Sequence, residues 1–173
     1  EGVLDAPNEQ LLKIKGISEN TVALIKLILP IASIYRSQKA TEKRTFTSSD
    51  SIGDYLIEKY LSYKKETLSI TSFNGKGELL GFDILSTGDS SSVELSVRRV
   101  IETVMKRNST CVVIAHNHPS GNALPSPEDI ALTENICSIL SSINVKLLDH
   151  IIICNNDYIS MYQTVRYRHI FQK

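Results

Sequence analysis

The feature that most constrains the fold of this chain is a short apolar run that ends in two histidines. The run is Cys111-Val112-Val113-Ile114-Ala115, and His116-Asn117-His118-Pro119 follows it directly. An apolar run of this length before a proline-containing turn is typical of a buried β-strand. Side chains alternate along a strand, so His116 and His118 point to one face, with their backbones about 6–7 Å apart. We expect a helix to begin at Ser126. The sequence therefore predicts a strand, a loop and a helix that meet near the two histidines.

The period of the apolar residues divides the chain into a helical segment and an α/β region. Residues 8–39 have a helical pattern, and the polar residues 40–47 are the candidate linker. From residue 67 the period changes to two, Asn74-Gly75 marks a hairpin, and strand and helix patterns then alternate. This order predicts an α/β fold with a mixed β-sheet flanked by helices. The predicted domains are a small helical segment at residues 1–40 and an α/β domain at residues 48–173.

The charge balance and the cysteines exclude some classes of protein. Nineteen basic and nineteen acidic residues cancel, so the chain lacks the global positive charge of a strong nucleic-acid binder. The cysteines, Cys111, Cys137 and Cys154, are widely spaced in apolar segments, which predicts buried thiols in a reducing compartment, the cytoplasm. We expect no signal peptide and no membrane span, because the longest apolar stretch is interrupted and too short.

Asp129 completes a set of three potential metal ligands. It lies in the first turn of the helix expected from Ser126, where its carboxylate can reach back over the helix N-terminus. Two imidazoles and one carboxylate are the ligand set of a catalytic zinc site, which keeps a fourth position open for water. A carboxylate outside that set must then accept the proton of the water. The competing interpretation is that Ser126-Pro127-Glu128-Asp129 is only a helix start, with a serine cap and acidic residues in the first turn.

The complete spacing, His-x-His-Pro-x6-Ser-x2-Asp, resembles the JAMM (MPN-plus) metalloprotease signature. His116-Asn117-His118-Pro119-Ser120-Gly121 and Pro125-Ser126 are similar to its bacterial RadC branch, and the resemblance covers most of residues 48–161. The resemblance implies a JAB/MPN fold of cytidine deaminase-like architecture and a zinc ion bound by His116, His118 and Asp129. It also implies that Ser126 helps to hold the oxyanion of a tetrahedral intermediate.

The resemblance further implies a glutamate at the start of the first strand, which orients and deprotonates the zinc water. Glu66 stands there, directly before Thr67-Leu68-Ser69-Ile70; without the metal motif it would be a solvated charge beside two lysines. Glu78, after the hairpin, and Glu94, at a helix start, are the rival candidates. His150 opens an apolar strand that recurs in RadC-like sequences, and we expect it to act indirectly rather than as a ligand.

The ligand set favours a zinc metallohydrolase, and the resemblance implies a JAMM-type metalloprotease that cleaves a peptide or isopeptide with zinc-activated water. The identity of the substrate stays open, and a phosphoester is a further class because activated water attacks phosphorus as well as carbon. A third interpretation is a partner-binding scaffold that has lost its activity. The complete set of potential ligands makes this interpretation the least favoured of the three.

The alternative function is a DNA-associated, repair-linked binding module with a structural or relict metal site. Residues 11–18 resemble the start of a helix-hairpin-helix element, and the tail at residues 166–168 is basic and aromatic. DNA-binding hairpins of this kind read Gly-hydrophobic-Gly, whereas Ser18 and Glu19 stand here, so a packing or dimerisation helix pair competes with weak DNA contact. The expected partners are thus a peptide or isopeptide substrate, DNA through the N-terminal segment, and a second copy in a homodimer, with no membrane.

Overall fold

The computed structural model describes residues 2–39, 45–88, 93–119, 121 and 123–172. The chain divides into two compact units, Glu1–Glu42 and Lys43–Lys173. Residues 40–44 of the predicted linker lie outside the described residues. No helix in the described ranges is both long enough and apolar enough to cross a membrane.

The first unit is helical. Its elements are α1 (Gly2–Asp5), α2 (Asn8–Leu12) and α3 (Glu19–Lys39). Leu11 and Val22 are buried. The Lys26 ammonium donates hydrogen bonds to the carbonyl oxygens of Leu4 and Ala6, at 3.0 and 2.5 Å. Since carbonyl groups at a helix C-terminus lack partners within the helix, these bonds hold α3 against the end of α1.

The turn between α2 and α3 is the segment that resembles a helix-hairpin-helix element. Gly16 has a φ of +93°, a left-handed conformation that favours glycine. The Ser18 hydroxyl accepts a hydrogen bond from the backbone N–H of Thr21 at 3.3 Å. Ser18, which replaces the second glycine of DNA-binding hairpins, therefore serves here as a cap for α3.

The second unit alternates strands and helices. Its elements are α4 (Ser49–Tyr60), β1 (Thr67–Phe73), β2 (Leu79–Thr87), α5 (Val93–Arg107), β3 (Cys111–Asn117), α6 (Pro127–Ser142), β4 (Lys146–Cys154), β5 (Asp157–Ser160) and a 3-10 helix (Arg168–Gln172). Within the described part of the chain, five strands form one sheet in the order β2-β1-β3-β4-β5. β3 and β4 are parallel, and the other neighbours are antiparallel. The predicted mixed α/β fold is confirmed.

Helices cover both faces of the sheet. The core between the sheet and α4 contains Leu56, Phe73, Val113, Ala115, Ile151 and Ile153. The core between the sheet and the pair α5 and α6 contains Ile70, Val104, Val112, Ile114, Ile136, Leu140 and Ile152. Alternate residues of β3 thus belong to different cores, as the period of two requires. The strand is buried on both faces, which explains its uninterrupted apolar sequence.

A buried carboxylate ties β4 to the chain that follows β5. Asp149 is 1% exposed and accepts hydrogen bonds from the Ser160 hydroxyl and from the backbone N–H groups of His150 and Tyr162. Removal from water raises the pKa of Asp149 to about 6, although each of these donors acts in the opposite direction. The protein therefore carries an aspartate that titrates close to neutral pH.

We expect Asp149 to make the folded protein less stable as the pH rises through about 6. Its pKa is 3.8 when unfolded and about 6 when folded, so between these values the folded chain holds a proton that the unfolded chain releases. The contribution is complete below pH 3.8 and is lost above about 6, and it is worth roughly 2–3 kcal/mol. Urea unfolding between pH 4 and 7 measures it as the difference between wild type and Asp149→Asn. The exposed Asp157→Asn is the control, and equal pH dependence in wild type and Asp149→Asn would contradict the expectation.

Candidate metal centre

The predicted ligands meet at the end of β3. Ligand sites in open α/β sheets lie beyond the carboxyl ends of parallel strands, and β3 ends there beside β4. β1 runs antiparallel to β3, with Leu68 opposite His116, so the start of β1 lies at the same end of the sheet. His116 shares its face of β3 with Ile114, which belongs to the core beneath α5 and α6. Its ring is therefore on the α6 side of the sheet.

The side chains of the three potential ligands converge on this face. His116 Nε2 lies 2.8 Å from His118 Nε2 and 3.1 Å from Asp129 Oδ1, and His118 Nε2 lies 3.4 Å from Asp129 Oδ2. Ligands at 2.0–2.1 Å from a tetrahedral zinc ion are roughly 3.3–3.4 Å apart. Because the observed separations are close to that value, the three side chains fit one metal ion with small adjustments. They also form a group of potential ligands whose atoms all lie within 4.8 Å of one another.

The three ligands differ in their access to solvent. The His116 and Asp129 residues are 2% and 8% exposed, whereas the His118 side chain retains 15%. His116 and Asp129 are thus shielded from solvent, whereas solvent has access to the cluster beside His118. A metal with three protein ligands keeps a position for a reactant, and this is the side from which the reactant can approach.

Asp129 is held in place by the first turn of α6. Its Oδ2 accepts hydrogen bonds from the Ser126 hydroxyl at 2.7 Å and the Ser126 N–H at 2.8 Å, and its own N–H donates to Ser126 Oγ at 3.1 Å. The helix-cap interpretation and the ligand interpretation therefore describe one arrangement, in which Oδ1 is turned towards His116. Burial raises the pKa of Asp129, but hydrogen bonds from His116 and Ser126 outweigh it and hold the pKa below its usual range. The carboxylate is ionised, as a metal ligand must be.

His150 lies behind His116 and outside the ligand group. Its Nε2 is 2.8 Å from His116 Nδ1, and its Nδ1 is 2.6 Å from Thr133 Oγ1. Complete burial, and then the neighbouring His116, lowers the pKa of His150 and keeps its ring neutral. We did not predict the role of Thr133 from the sequence. Its place four residues after Asp129, on the same face of α6, is the signal that points to it.

Glu66 is positioned by the residue that separates the two histidines. The Asn117 side chain accepts a hydrogen bond from Thr67 N–H at 2.8 Å and donates one to the Lys65 carbonyl oxygen at 3.1 Å. Gly88 N–H donates to the Glu66 carbonyl oxygen at 2.7 Å. These bonds fix the backbone on both sides of Glu66. A polar residue in a buried apolar strand needs hydrogen-bond partners, which is the sequence signal for Asn117 that we missed.

The register of β1 and β3 relates Glu66 to the ligands. Leu68 lies opposite His116, and Glu66 precedes Leu68 by two residues. Side chains two apart share a face, so Glu66 is on the His116 side of the sheet, next to the level of His118. Its side chain is exposed and outside the ligand group.

The rival carboxylates are elsewhere or undescribed. Glu78 lies in the hairpin at the far end of β1, where its Oε2 accepts a hydrogen bond from Asn74 Nδ2 at 2.7 Å. The side chain of Glu94 lies outside the described residues. His169, the remaining histidine, is exposed in the 3-10 helix. Between Glu66 and Glu78, the structure places Glu66 at the end of the sheet that carries the ligands.

The sequence is also similar to a known family over most of the α/β unit. The family described as "RadC-like JAB domain" matches residues 46–167. The chain belongs to the RadC family. A UPF0758 protein of Carboxydothermus hydrogenoformans is 34% identical over 161 residues, which are 93% of this chain and 71% of that protein. UPF0758 proteins of Clostridium novyi and Idiomarina loihiensis are 32% and 33% identical, each over 70% of its own length and 92% and 91% of this chain.

Membership of the RadC family confirms the predicted resemblance and the JAB/MPN type of fold. The matched region includes the three potential ligands, Ser126 and Glu66, whereas α1, α2 and α3 precede it. The names of the relatives state no activity. Any chemistry assigned to this member of the RadC family therefore depends on the geometry of the centre.

Proposed function

We propose that this protein is a zinc-dependent hydrolase, a metallopeptidase or isopeptidase that cleaves an amide bond. The convergence of His116, His118 and Asp129 at the end of β3 is the observation that carries this proposal. Two imidazole nitrogens and one carboxylate suit zinc, whereas magnesium and calcium prefer oxygen ligands. The resemblance of the same residues to the JAMM signature supports an amide substrate rather than another class.

The mechanism assigns a task to each residue around the centre. His116, His118 and Asp129 would hold the zinc ion, which would supply a Lewis acid for the attacked carbonyl group and would lower the pKa of water. Glu66 accepts a proton from the attacking water and returns it to the leaving nitrogen, the work of a general base and then a general acid. Asn117 fixes the backbone that carries Glu66, and the exposed side of His118 admits the substrate.

The Ser126 hydroxyl has two tasks in this proposal. In the structure it donates to Asp129 Oδ2, which also accepts the Ser126 N–H. If the hydroxyl proton turns towards the substrate, Asp129 keeps the bond from the N–H and stays in position. The hydroxyl can then stabilise the oxyanion that develops on the attacked carbonyl.

We expect Ser126→Ala to lose activity and little stability. Loss of an N-cap lowers the free energy of unfolding by about 1 kcal/mol, whereas loss of an oxyanion donor lowers kcat by about 10²- to 10³-fold. Zinc content should stay near the wild-type level, because the Ser126 N–H still holds Asp129. Ser48→Ala is the matched control: Ser48 caps α4 by accepting the N–H of Ser51 at 3.3 Å, far from the ligands in sequence. If both variants lose equal activity, Ser126 acts only as a cap.

The proposed function is tested by a search for cleaved amides. Zinc-loaded protein is incubated with a proteome-derived peptide library and with lysine-linked isopeptides, and mass spectrometry detects new termini. Cleavage that chelator abolishes and that Glu66→Gln lacks supports the proposal. A wild-type protein that binds zinc but cleaves no amide above the level of the chelator-treated protein overturns it. A set of phosphodiesters, measured in parallel, then tests the second substrate class.

DNA contact, homodimer formation and a cytoplasmic location stay predictions. For DNA, the discriminating measurement is the salt dependence of binding, because an interaction with phosphates weakens steeply between 50 and 200 mM salt. Absence of binding at low salt would reject the DNA-associated interpretation.

A further inference from the structure

We propose that His150 and Thr133 form a one-way hydrogen-bond relay that keeps a proton on Nδ1 of His116 and so leaves Nε2 as the nitrogen that binds the metal. The inference rests on the proposed metal centre and adds two positioning residues to it. Neither residue contacts the metal position; both act through His116.

The direction of the relay is set by a group that can only accept hydrogen bonds. Thr133 Oγ1 lies 2.5 Å from the carbonyl oxygen of Asp129. A carbonyl group has no proton to give, so the Thr133 hydroxyl is the donor. That hydroxyl has a single proton, so in its second short contact, at 2.6 Å from His150 Nδ1, Thr133 must accept. His150 therefore carries its proton on Nδ1.

The proton on His150 determines the tautomer of His116. A neutral imidazole has one N–H, so His150 Nε2 is an acceptor. His116 Nδ1 lies 2.8 Å from it and must be the donor. His116 consequently keeps a proton on Nδ1, so its other ring nitrogen, Nε2, is the one that can bind a metal. Nε2 lies 3.1 Å from Asp129 Oδ1, and a proton that it donates to that carboxylate is released when a metal binds. A proton on Nε2 alone would leave two acceptors facing each other between the rings.

The relay connects two of the three ligands through the interior. It begins at the backbone of Asp129 on α6, passes through β4, and ends on the ring of His116 on β3. Thr133 and His150 are both 0% exposed and His116 is 2% exposed. Water has no access to replace a missing member, so removal of one hydrogen-bonding group leaves its neighbour unpaired. This arrangement holds the His116 ring at the angle that the metal requires.

Two matched pairs of variants separate the relay from simple packing. Thr133→Val keeps the shape of the side chain but cannot accept or donate, whereas Thr133→Ser keeps the hydroxyl. His150→Asn has no atom near the position of Nε2, whereas His150→Gln places an acceptor oxygen there. If the His150 variants fail to fold, the Thr133 pair still tests the relay, because valine and threonine are nearly equal in size.

The first measurement is the protonation of the ring nitrogens by ¹⁵N NMR, on the full chain with and without zinc. We expect protonated Nδ1 on His116 and His150 and unprotonated Nε2 on His150. The second measurement is zinc affinity by competition with a chelator. We expect it to fall by about 10- to 100-fold in Thr133→Val and His150→Asn, and to stay near wild type in Thr133→Ser and His150→Gln.

The outcomes distinguish this inference from the proposed function. An unprotonated Nδ1 on His116, or equal zinc affinity in Thr133→Val and Thr133→Ser, overturns the relay while the metal centre stands. If the wild type binds no zinc, the proposed function fails. The protonation of the ring nitrogens of His116 and His150, measured by ¹⁵N NMR in the metal-free protein, then tests the relay by itself.

Discussion

Substitution of His118 by alanine should remove the metal from the purified protein. We expect about one zinc ion per wild-type chain and less than about a tenth of that in His118→Ala, because two ligands are left where a structural or catalytic zinc needs at least three. Among the described residues the group of potential ligands consists of His116, His118 and Asp129, so it offers no fourth side chain to replace His118. Elemental analysis of protein purified without added metal measures the effect.

The control for this experiment is the exposed His169→Ala, which removes a histidine without touching the cluster. It should keep its zinc, and so separate the site from adventitious binding by surface imidazoles. Thermal unfolding gives a second measure, because zinc at a thousandfold excess over its Kd stabilises the folded state by about 4 kcal/mol. Added zinc should raise the Tm of wild type and of His169→Ala, but not that of His118→Ala. A wild type that stays free of metal after zinc is offered contradicts the proposed centre.

Local signals explain why the three ligands could be predicted from the sequence. His116 and His118 share a face because strand side chains alternate, a rule that needs no knowledge of neighbouring strands. Asp129 follows Ser126 by three residues, the spacing at which a cap and its partner meet in the first turn of a helix. The loop between these two elements is short, so the strand end and the helix start must be neighbours. The group of potential metal ligands is therefore encoded almost entirely in residues 111–129.

An indirect role for His150 was expected, but the specific contacts behind the potential ligands could not be predicted because they depend on strand register. Ile114 lies opposite His150 in the parallel pair of β3 and β4, and it is this register that brings His150 behind His116. The register of β3 and β4 is set by the connection through α6, and the local sequence of either strand does not indicate it. The bond between Asn117 and Thr67 likewise depends on the antiparallel register of β1 and β3. A slip of one residue in either pair would move each of these side chains to the opposite face.

The same limits apply to Glu66, whose prediction came from the resemblance rather than from the residues around it. Two lysines precede it in the sequence, and alone it is an exposed charge. The structure adds two facts: the antiparallel pairing puts the start of β1 at the ligand end of the sheet, and Asn117 holds the backbone on either side of Glu66. Both facts describe where Glu66 lies and not what its carboxylate does. A chemical test of the Glu66 carboxylate is therefore decisive.

Replacement of Glu66 by glutamine should abolish turnover and leave the metal bound. Glutamine keeps the size and the exposed position of the side chain but cannot accept a proton from water, so we expect kcat to fall by about 10²- to 10⁴-fold. Zinc content should match the wild type, because Glu66 is outside the ligand group. The measurement combines elemental analysis with the rate of cleavage of an amide found in the peptide and isopeptide search.

The matched control is Glu78→Gln, which makes the same chemical change in the hairpin at the far end of β1. It weakens a bond to Asn74 and should leave both zinc and turnover intact. Glu66→Asp adds a graded test: it keeps the acid but withdraws it by one methylene, so its rate should lie between those of wild type and Glu66→Gln. If Glu66→Gln retains full activity with zinc bound, another group accepts the proton. If it loses both activity and zinc, Glu66 supports the metal rather than the reaction, and its assignment as the general base is wrong.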